Sequence, residues 1–160
     1  MSGDPNLATN ISAFFEQDHV EIDQLVVSLM RDMRAASEKP GAAVGGLVER
    51  LEEIDRRLER HIIWEEEILF PAVEELEPHL REGPGDVMRA EHAEIRDYKQ
   101  RSLTHLRDGE IALAIRELDA AVDVLIDHNE KEEQIYYPTA DQLFEGEAAR
   151  SLLDRVRATA

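Results

Sequence analysis

The chain has 160 residues, 42% of them hydrophobic, which suits one domain with a sizeable core; it has no cysteine, which excludes disulfides, thiolate metal sites and thiol catalysis. Acidic side chains outnumber basic ones 36 to 18, and the resulting net charge of −18 repels phosphate backbones and anionic lipid, so neither nucleic acid nor a membrane surface is expected as a partner. No apolar run approaches the roughly 20 residues of a membrane span, and MSGDPNLATN lacks the basic flank and apolar core of a secretion signal, so a cytoplasmic location is expected.

Residues 1 to 9 read as a polar lead-in. Asn10 or Ser12 is placed to cap a first helix running to about Ser37, with the apolar stripe Phe15, His19, Ile22, Val26, Leu29, Met33 at alternating steps of four and three. Lys39-Pro40-Gly41 breaks it. A second helix from about Ala43 carries Leu47, Leu51, Ile54, Leu58, His61, Glu65 and Ile68 on one face, and Pro71 is expected to end or kink it. The stretch from Glu77 to Gly85, rich in proline and glycine, reads as the midpoint connection.

The third helix, about Asp86 to Arg107, starts with the stripe Met88, His92, Ile95 and loses regularity afterwards around Tyr98, Leu103 and Leu106. Asp108-Gly109 turns the chain into a fourth helix with the stripe Ile111, Ile115, Leu118, Val122, Leu125, His128, Glu132, Ile135, expected to stop near Pro138. Leu152, Leu153 and Val156 mark a short fifth helix. No strand pattern occurs. The prediction is an all-α, up-down-up-down antiparallel four-helix bundle over about residues 10 to 140, with a helical tail at about 145 to 158, in a single domain spanning 1 to 160.

One stretch is used twice: HIIWEEEILFP, His61 to Pro71, returns as HNEKEEQIYYP, His128 to Pro138. In each copy a Glu stands four residues after the His, one turn along the same helical face. A shorter repeat precedes each, DHVEID at Asp18 and EHAEIR at Glu91. In an up-down bundle, His19 and His92 near the starts of their helices fall level with His61 and His128, about 15 Å from the shared end for ten residues at 1.5 Å each. A lone His on an apolar stripe is usually a hydrogen-bonded core residue. Four at one level, two with a carboxylate one turn on, point instead to metal, because buried unpaired carboxylates cost several kcal/mol.

The expected ligands are therefore His19, His61, Glu65, His92, His128 and Glu132. That donor set exceeds the needs of one octahedral ion, so two are expected, each with two His and both Glu shared. Nitrogen and oxygen donors with open positions suit iron, and admit manganese or zinc. Glu133 is an alternative to Glu132, and Asp23, one turn after His19, is placed to orient that ring or to ligate. Asp18 and Glu91 read as surface or ring-supporting groups, Glu66 and Glu67 as a solvated face, and His79 and His105 as solvent-facing. Trp64, Phe70, Tyr136 and Tyr137 are expected to pack the bundle end, with a hydrogen-bonding or redox tyrosine as the lesser reading.

On DHVEID, HIIWEEEILFP, EHAEIR and HNEKEEQIYYP, the chain resembles the hemerythrin-like, HHE cation-binding family over about residues 12 to 140. The resemblance implies two iron ions with a bridging oxo or hydroxo ligand, carried onto the six ligands named above. In oxygen-carrying members the helix-three motif is His-x-x-x-His, and the second carboxylate stands five residues after its His. Here Arg96 takes the former position, and Glu132 and Glu133 are both available. The resemblance implies a small-molecule ligand (oxygen, peroxide or nitric oxide) and an electron donor of unspecified kind. The reading is a non-haem di-iron protein of oxidative or nitrosative stress defence, a catalase-like or nitric oxide/peroxide-reactive oxidoreductase. The alternatives are an oxygen-binding, sensing or iron-handling protein without turnover, and a metal-free interaction bundle.

Overall fold

The computed structural model describes residues 10–159, so the lead-in expected over residues 1 to 9 lies outside them. Among the described residues all regular structure is helical. Helix α1 is Ile11–Ser37, α2 Gly45–Ile63, α3 Phe70–Leu76, α4 Asp86–Arg107, α5 Ile111–Lys131, α6 Tyr137–Leu143 and α7 Glu147–Ala158. A wide π turn, Trp64–Leu69, joins α2 to α3 without a break, and another, Glu132–Tyr136, joins α5 to α6. Five rods result. The first four form the up-down-up-down bundle: α1 packs on α2 and α5, and α4 packs on the same two.

Local chemistry sets the boundaries. The Asn10 side chain accepts from the Ala13 amide at 2.9 Å and caps α1. Ser12 is no cap. Its hydroxyl and amide donate to the Asp141 carboxylate, which ties the start of α1 to α6. At the α4–α5 hairpin Gly109 takes φ +78°, and the amides of Gly109 and Glu110 bond back to Leu106 and His105, closing a helix end that a side chain at Cβ would strain.

Pro138 does not stop its helix as expected, and at Pro71, where an end or a kink was expected, the helix does not end. In each copy the residue before the proline reaches back five residues rather than four: the Phe70 amide bonds to the Glu65 carbonyl, and the Tyr137 amide to the Glu132 carbonyl. The extra residue in that turn shifts the ladder where the proline has no donor to give, so the rod continues to Leu76 and Leu143. The same slip corrects the end of the fourth stripe. Ile135 is turned out, 49% exposed, while Tyr136, Tyr137 and Ala140 go in.

The second half of α4 is helical throughout, and its stripe is regular once its polar members are counted. Met88, His92, Ile95, Lys99, Ser102 and Leu106 are all buried. Lys99 Nζ lies 2.7 Å from Asp55 Oδ1, and the Ser102 hydroxyl donates to the Ala114 carbonyl at 2.7 Å.

The core is in two parts. One holds Ile11 and Phe15 of α1, Leu69, Phe70 and Val73, Met88, Tyr136 and Tyr137, closed over by Leu152, Leu153 and Val156 of α7. The other holds Ile22, Val26 and Leu29, Leu51, Ile54 and Leu58, Ile95 and Leu103, and Leu118 and Ala121. On every bundle rod the motif His falls at the junction: His19 between Phe15 and Ile22, His61 after Leu58, His92 between Met88 and Ile95, and His128 between Ala121 and Tyr136. A buried polar layer thus crosses the bundle between two apolar ones.

Candidate metal centre

The layer consists of His19, His61, Glu65, His92, His128 and Glu132, all buried and supplied by the four rods of the bundle. They form two overlapping groups, His19–His61–Glu65–Glu132 and His92–His128–Glu65–Glu132, each with its donor atoms within 4.8 Å of one another. Within each hairpin the imidazoles converge through Nε2: His19 to His61 is 3.0 Å, and His92 to His128 is 3.0 Å. The carboxylates span the two groups. Glu65 sets Oε2 at 3.5 Å from His61 Nε2 and Oε1 at 3.2 Å from His92 Nε2. Glu132 sets Oε1 at 3.2 Å from His19 Nε2 and Oε2 at 3.2 Å from His128 Nε2.

The outer ring nitrogens are held as methodically. His61 Nδ1 is 2.8 Å from Asp18 Oδ2, His128 Nδ1 3.2 Å from Glu91 Oε1, His92 Nδ1 2.7 Å from Glu66 Oε2, and His19 Nδ1 3.1 Å from Glu133 Oε1. A carboxylate accepting from Nδ1 fixes each ring and directs Nε2 inward, the arrangement that supports imidazole ligands in metalloproteins. The pattern has an internal logic. The acid just before each first-motif His serves the other His of its own hairpin, and the acid just after each motif Glu serves a ring of the opposite hairpin.

Two of these acids differ from their sequence reading. Glu133 lies outside both donor groups and anchors His19, the role considered for Asp23. Asp23 is exposed at the edge of the adjoining cavity. Glu66, read as part of a solvated face, holds His92; the signal was its place directly after the motif Glu, matched by Glu133 in the second copy. Of the other histidines, His79 is exposed and His105 is half-buried against Glu110.

Tyr137 does more than pack the bundle end: it takes the hydrogen-bonding role that was the lesser expectation. Its hydroxyl donates to Glu65 Oε2 at 2.8 Å and lies 3.1 Å from Glu132 Oε1 and 3.0 Å from His19 Nε2. The π turn accounts for this: five residues make one wide turn, so Tyr137 comes to stand over Glu132. The matching residue, Phe70, stacks on His92 with ring centroids 5.9 Å apart and carries no hydroxyl. At this position the two halves of the site differ by one oxygen atom.

The electrostatics are those of four rings around two buried acids. Burial alone would lower His61, but the Glu65 charge and the Asp18 hydrogen bond outweigh it and push the ring up to about 10. Burial likewise opposes the proton on His92, yet Glu65 and Glu66 raise it to about 9. His128 is raised against burial, chiefly by Glu132. Burial would raise Glu65, and His61 with its hydrogen-bonding neighbours holds it well below the usual carboxylate range. Tyr137 is pushed well above 10 by burial and by both carboxylates, so it keeps its proton and donates.

The donors fit a metal. Glu132 Oε2 is buried, accepts no hydrogen bond and leaves a lone pair unused in a dry interior, at a cost of about 1–3 kcal/mol. Two nitrogens each about 2.1 Å from one ion, at right angles, would be about 3 Å apart, which matches both Nε2 pairs. Beside the layer lies a cavity of about 20 Å³, walled by Ile22, Leu58, Ile62, Ile95 and Leu125 and floored by the histidines. A water-sized occupant needs about 10–15 Å³. Arg96 stays clear of it. Its guanidinium donates twice to Glu59, at 3.0 and 2.7 Å, and approaches Glu66 at 3.7 Å.

No helix among the described residues is long and apolar enough to cross a membrane. No curated protein and no solved structure was found to match the chain. The family model of the hemerythrin HHE cation binding domain matches residues 10–140, a span that begins at the cap of α1, ends within α6 and contains all six converging donors. On that match the chain belongs to the hemerythrin HHE cation-binding domain family.

Proposed function

We propose that the six donors hold two iron ions, His19 and His61 on one, His92 and His128 on the other, with Glu65 and Glu132 shared. The observation that carries this reading is that each carboxylate presents one oxygen to each histidine pair. Two such ions would supply paired one-electron redox chemistry and open coordination positions for a small oxidant. We read the activity as consumption of hydrogen peroxide or nitric oxide, or oxidation by oxygen, in stress defence. Peroxide disproportionation, in which 2 H2O2 yield 2 H2O and O2, balances without an outside electron donor.

The chain's own part is to shape the site. Ile22, Leu58, Ile62, Ile95 and Leu125 give the cavity an apolar wall beside the donors and leave room for an occupant of a few atoms. Four carboxylates hold the rings in the metal-binding tautomer. Tyr137 keeps its proton and donates it to Glu65 Oε2, which fixes that carboxylate between the two histidine pairs. Because Arg96 points away and pairs with Glu59, the cavity side of the layer lacks the further imidazole that oxygen carriers place there.

The test is elemental analysis after anaerobic ferrous reconstitution, followed by turnover with hydrogen peroxide and with nitric oxide. Close to two irons per chain and measurable consumption are expected. Much less than one ion per chain would sink the metal assignment. Oxygen uptake by the reduced protein that reverses fully when oxygen is removed would move the function to oxygen binding.

A further inference from the structure

Apart from the metal layer, the outer face where α1, α2 and α7 meet forms a groove of about 420 Å³. Its charge is unlike that of the molecule. In a chain of net charge −18, Arg57 and Arg60 of α2 and Arg157 of α7 line this one groove. Its walls are aromatic: Phe14 and Trp64 pack 5.3 Å apart, the Arg60 guanidinium lies 4.7 Å over Trp64, and that of Arg157 lies 5.2 Å over Phe14. Stacking of this kind holds planar guanidinium forks flat and in place before any ligand arrives.

The acids beside the two arginines of α2 leave much of their hydrogen-bonding capacity unused. Arg57 and Arg60 approach a single oxygen, Asp18 Oδ1, at 2.9 and 3.7 Å, while Asp18 Oδ2 is taken by His61. Glu21 reaches Arg57 only at 3.9 Å. The Nε groups of Arg57 and Arg60 are buried and make no hydrogen bond, so it is the terminal nitrogens that face the groove. A guanidinium fork is matched by a carboxylate or phosphate taking two parallel hydrogen bonds. The volume is within the range of small-molecule sites, about 300–1,000 Å³.

We propose that this groove binds a small organic anion carrying a carboxylate or phosphate, seated on Arg57 and Arg60 against the Trp64 and Phe14 wall. The groove lies outside the metal layer and adjoins it through Asp18, which lines the groove and holds His61 Nδ1. Trp64 is the only tryptophan in the chain, so its fluorescence reports on the groove directly.

The experiment titrates metal-loaded protein with citrate, with AMP and with inorganic phosphate at constant ionic strength, following Trp64 emission and binding heat. A saturable change is expected for at least one organic anion, with inorganic phosphate weaker. Citrate and AMP separate carboxylate from phosphate recognition. Arg60→Gln and Arg157→Gln should each weaken it about tenfold or more, the loss of one charge-assisted hydrogen bond or stacked cation, with the thermal midpoint retained. The proposal is overturned if neither citrate nor AMP saturates by 10 mM, or if binding persists unchanged in both variants.

Discussion

At the scale of single residues, the site depends on pairs of atoms that each do one thing. Tyr137 is the clearest case. Tyr137→Phe keeps the ring that packs against Phe15 at 5.2 Å and removes only the hydroxyl that donates to Glu65. A buried carboxylate oxygen then loses its donor, which costs about 1–3 kcal/mol. Urea unfolding of metal-free Tyr137→Phe should show that loss; an unchanged midpoint would mean water replaces the hydroxyl. Glu91 is a second case, since it accepts from His128 Nδ1 and from Lys131 and contributes nothing to the donor groups themselves. Removing such a support typically lowers metal affinity about 10–100-fold. Glu91→Ala should therefore need a correspondingly higher free metal concentration for half-loading in a chelator competition, at unchanged helicity. The six converging donors were legible because spacing and level could be read from the sequence. The four acids behind them were only partly so, because which ring each serves depends on how the hairpins face one another.

At the scale of elements, the informative feature is the repeated π turn. A helical wheel at 3.6 residues per turn places Ile135 inward and expects the prolines to act as stops. The wide turn instead moves the buried face on by one residue, to Tyr136, Tyr137 and Ala140 in one copy and to Leu69, Phe70 and Val73 in the other. The signal was present as an aromatic five residues after each motif Glu and a proline next to it, but hydropathy alone cannot separate that from an ordinary helix end. Lys99 and Ser102 hid the regularity of α4 for a related reason: a hydropathy stripe does not count polar residues whose partners come from α2 and α5. The π turn makes a direct prediction. Glu67 is exposed, so Glu67→Ala should change stability by no more than about 0.5 kcal/mol. Inserting an alanine after Glu67 keeps the His61–Glu65 spacing but adds a second extra residue to the turn and rotates all that follows by about 100°. Phe70 and Val73 then leave the core, and a loss of at least about 3 kcal/mol is expected in urea unfolding, the scale of a Phe→Ala change.

At the scale of the whole molecule, a charged layer divides the apolar core in two, and something must hold it together. With metal present the ligands are satisfied by the ions. Without it they must satisfy one another, and the histidines do this by taking protons. His61 rises to about 10 and His92 to about 9 from an ordinary value near 6.5. A raised folded-state value means that the stabilisation is complete below about pH 6.5. It is lost as pH climbs through 9 and 10, where the rings become neutral beside Glu65 and Glu132. The buried carboxylates act in the opposite sense: Glu65 is held low, so its share is present above about pH 4.5 and lost only under strong acid. Metal-free protein should accordingly melt at falling temperature from pH 7 to 10, whereas the metal-loaded protein, whose rings are already neutral ligands, should lose little over that range. The same protons must leave when metal enters. Loading at pH 7 should release protons from His61 and His92, and apparent affinity should rise with pH, measured by an indicator dye in weakly buffered solution and by chelator competition from pH 6 to 8. Loading without proton release, together with a flat alkaline melting profile for the metal-free chain, would mean that water enters the layer and neutralises it before the metal does, and that the two halves of the core are joined by solvent instead.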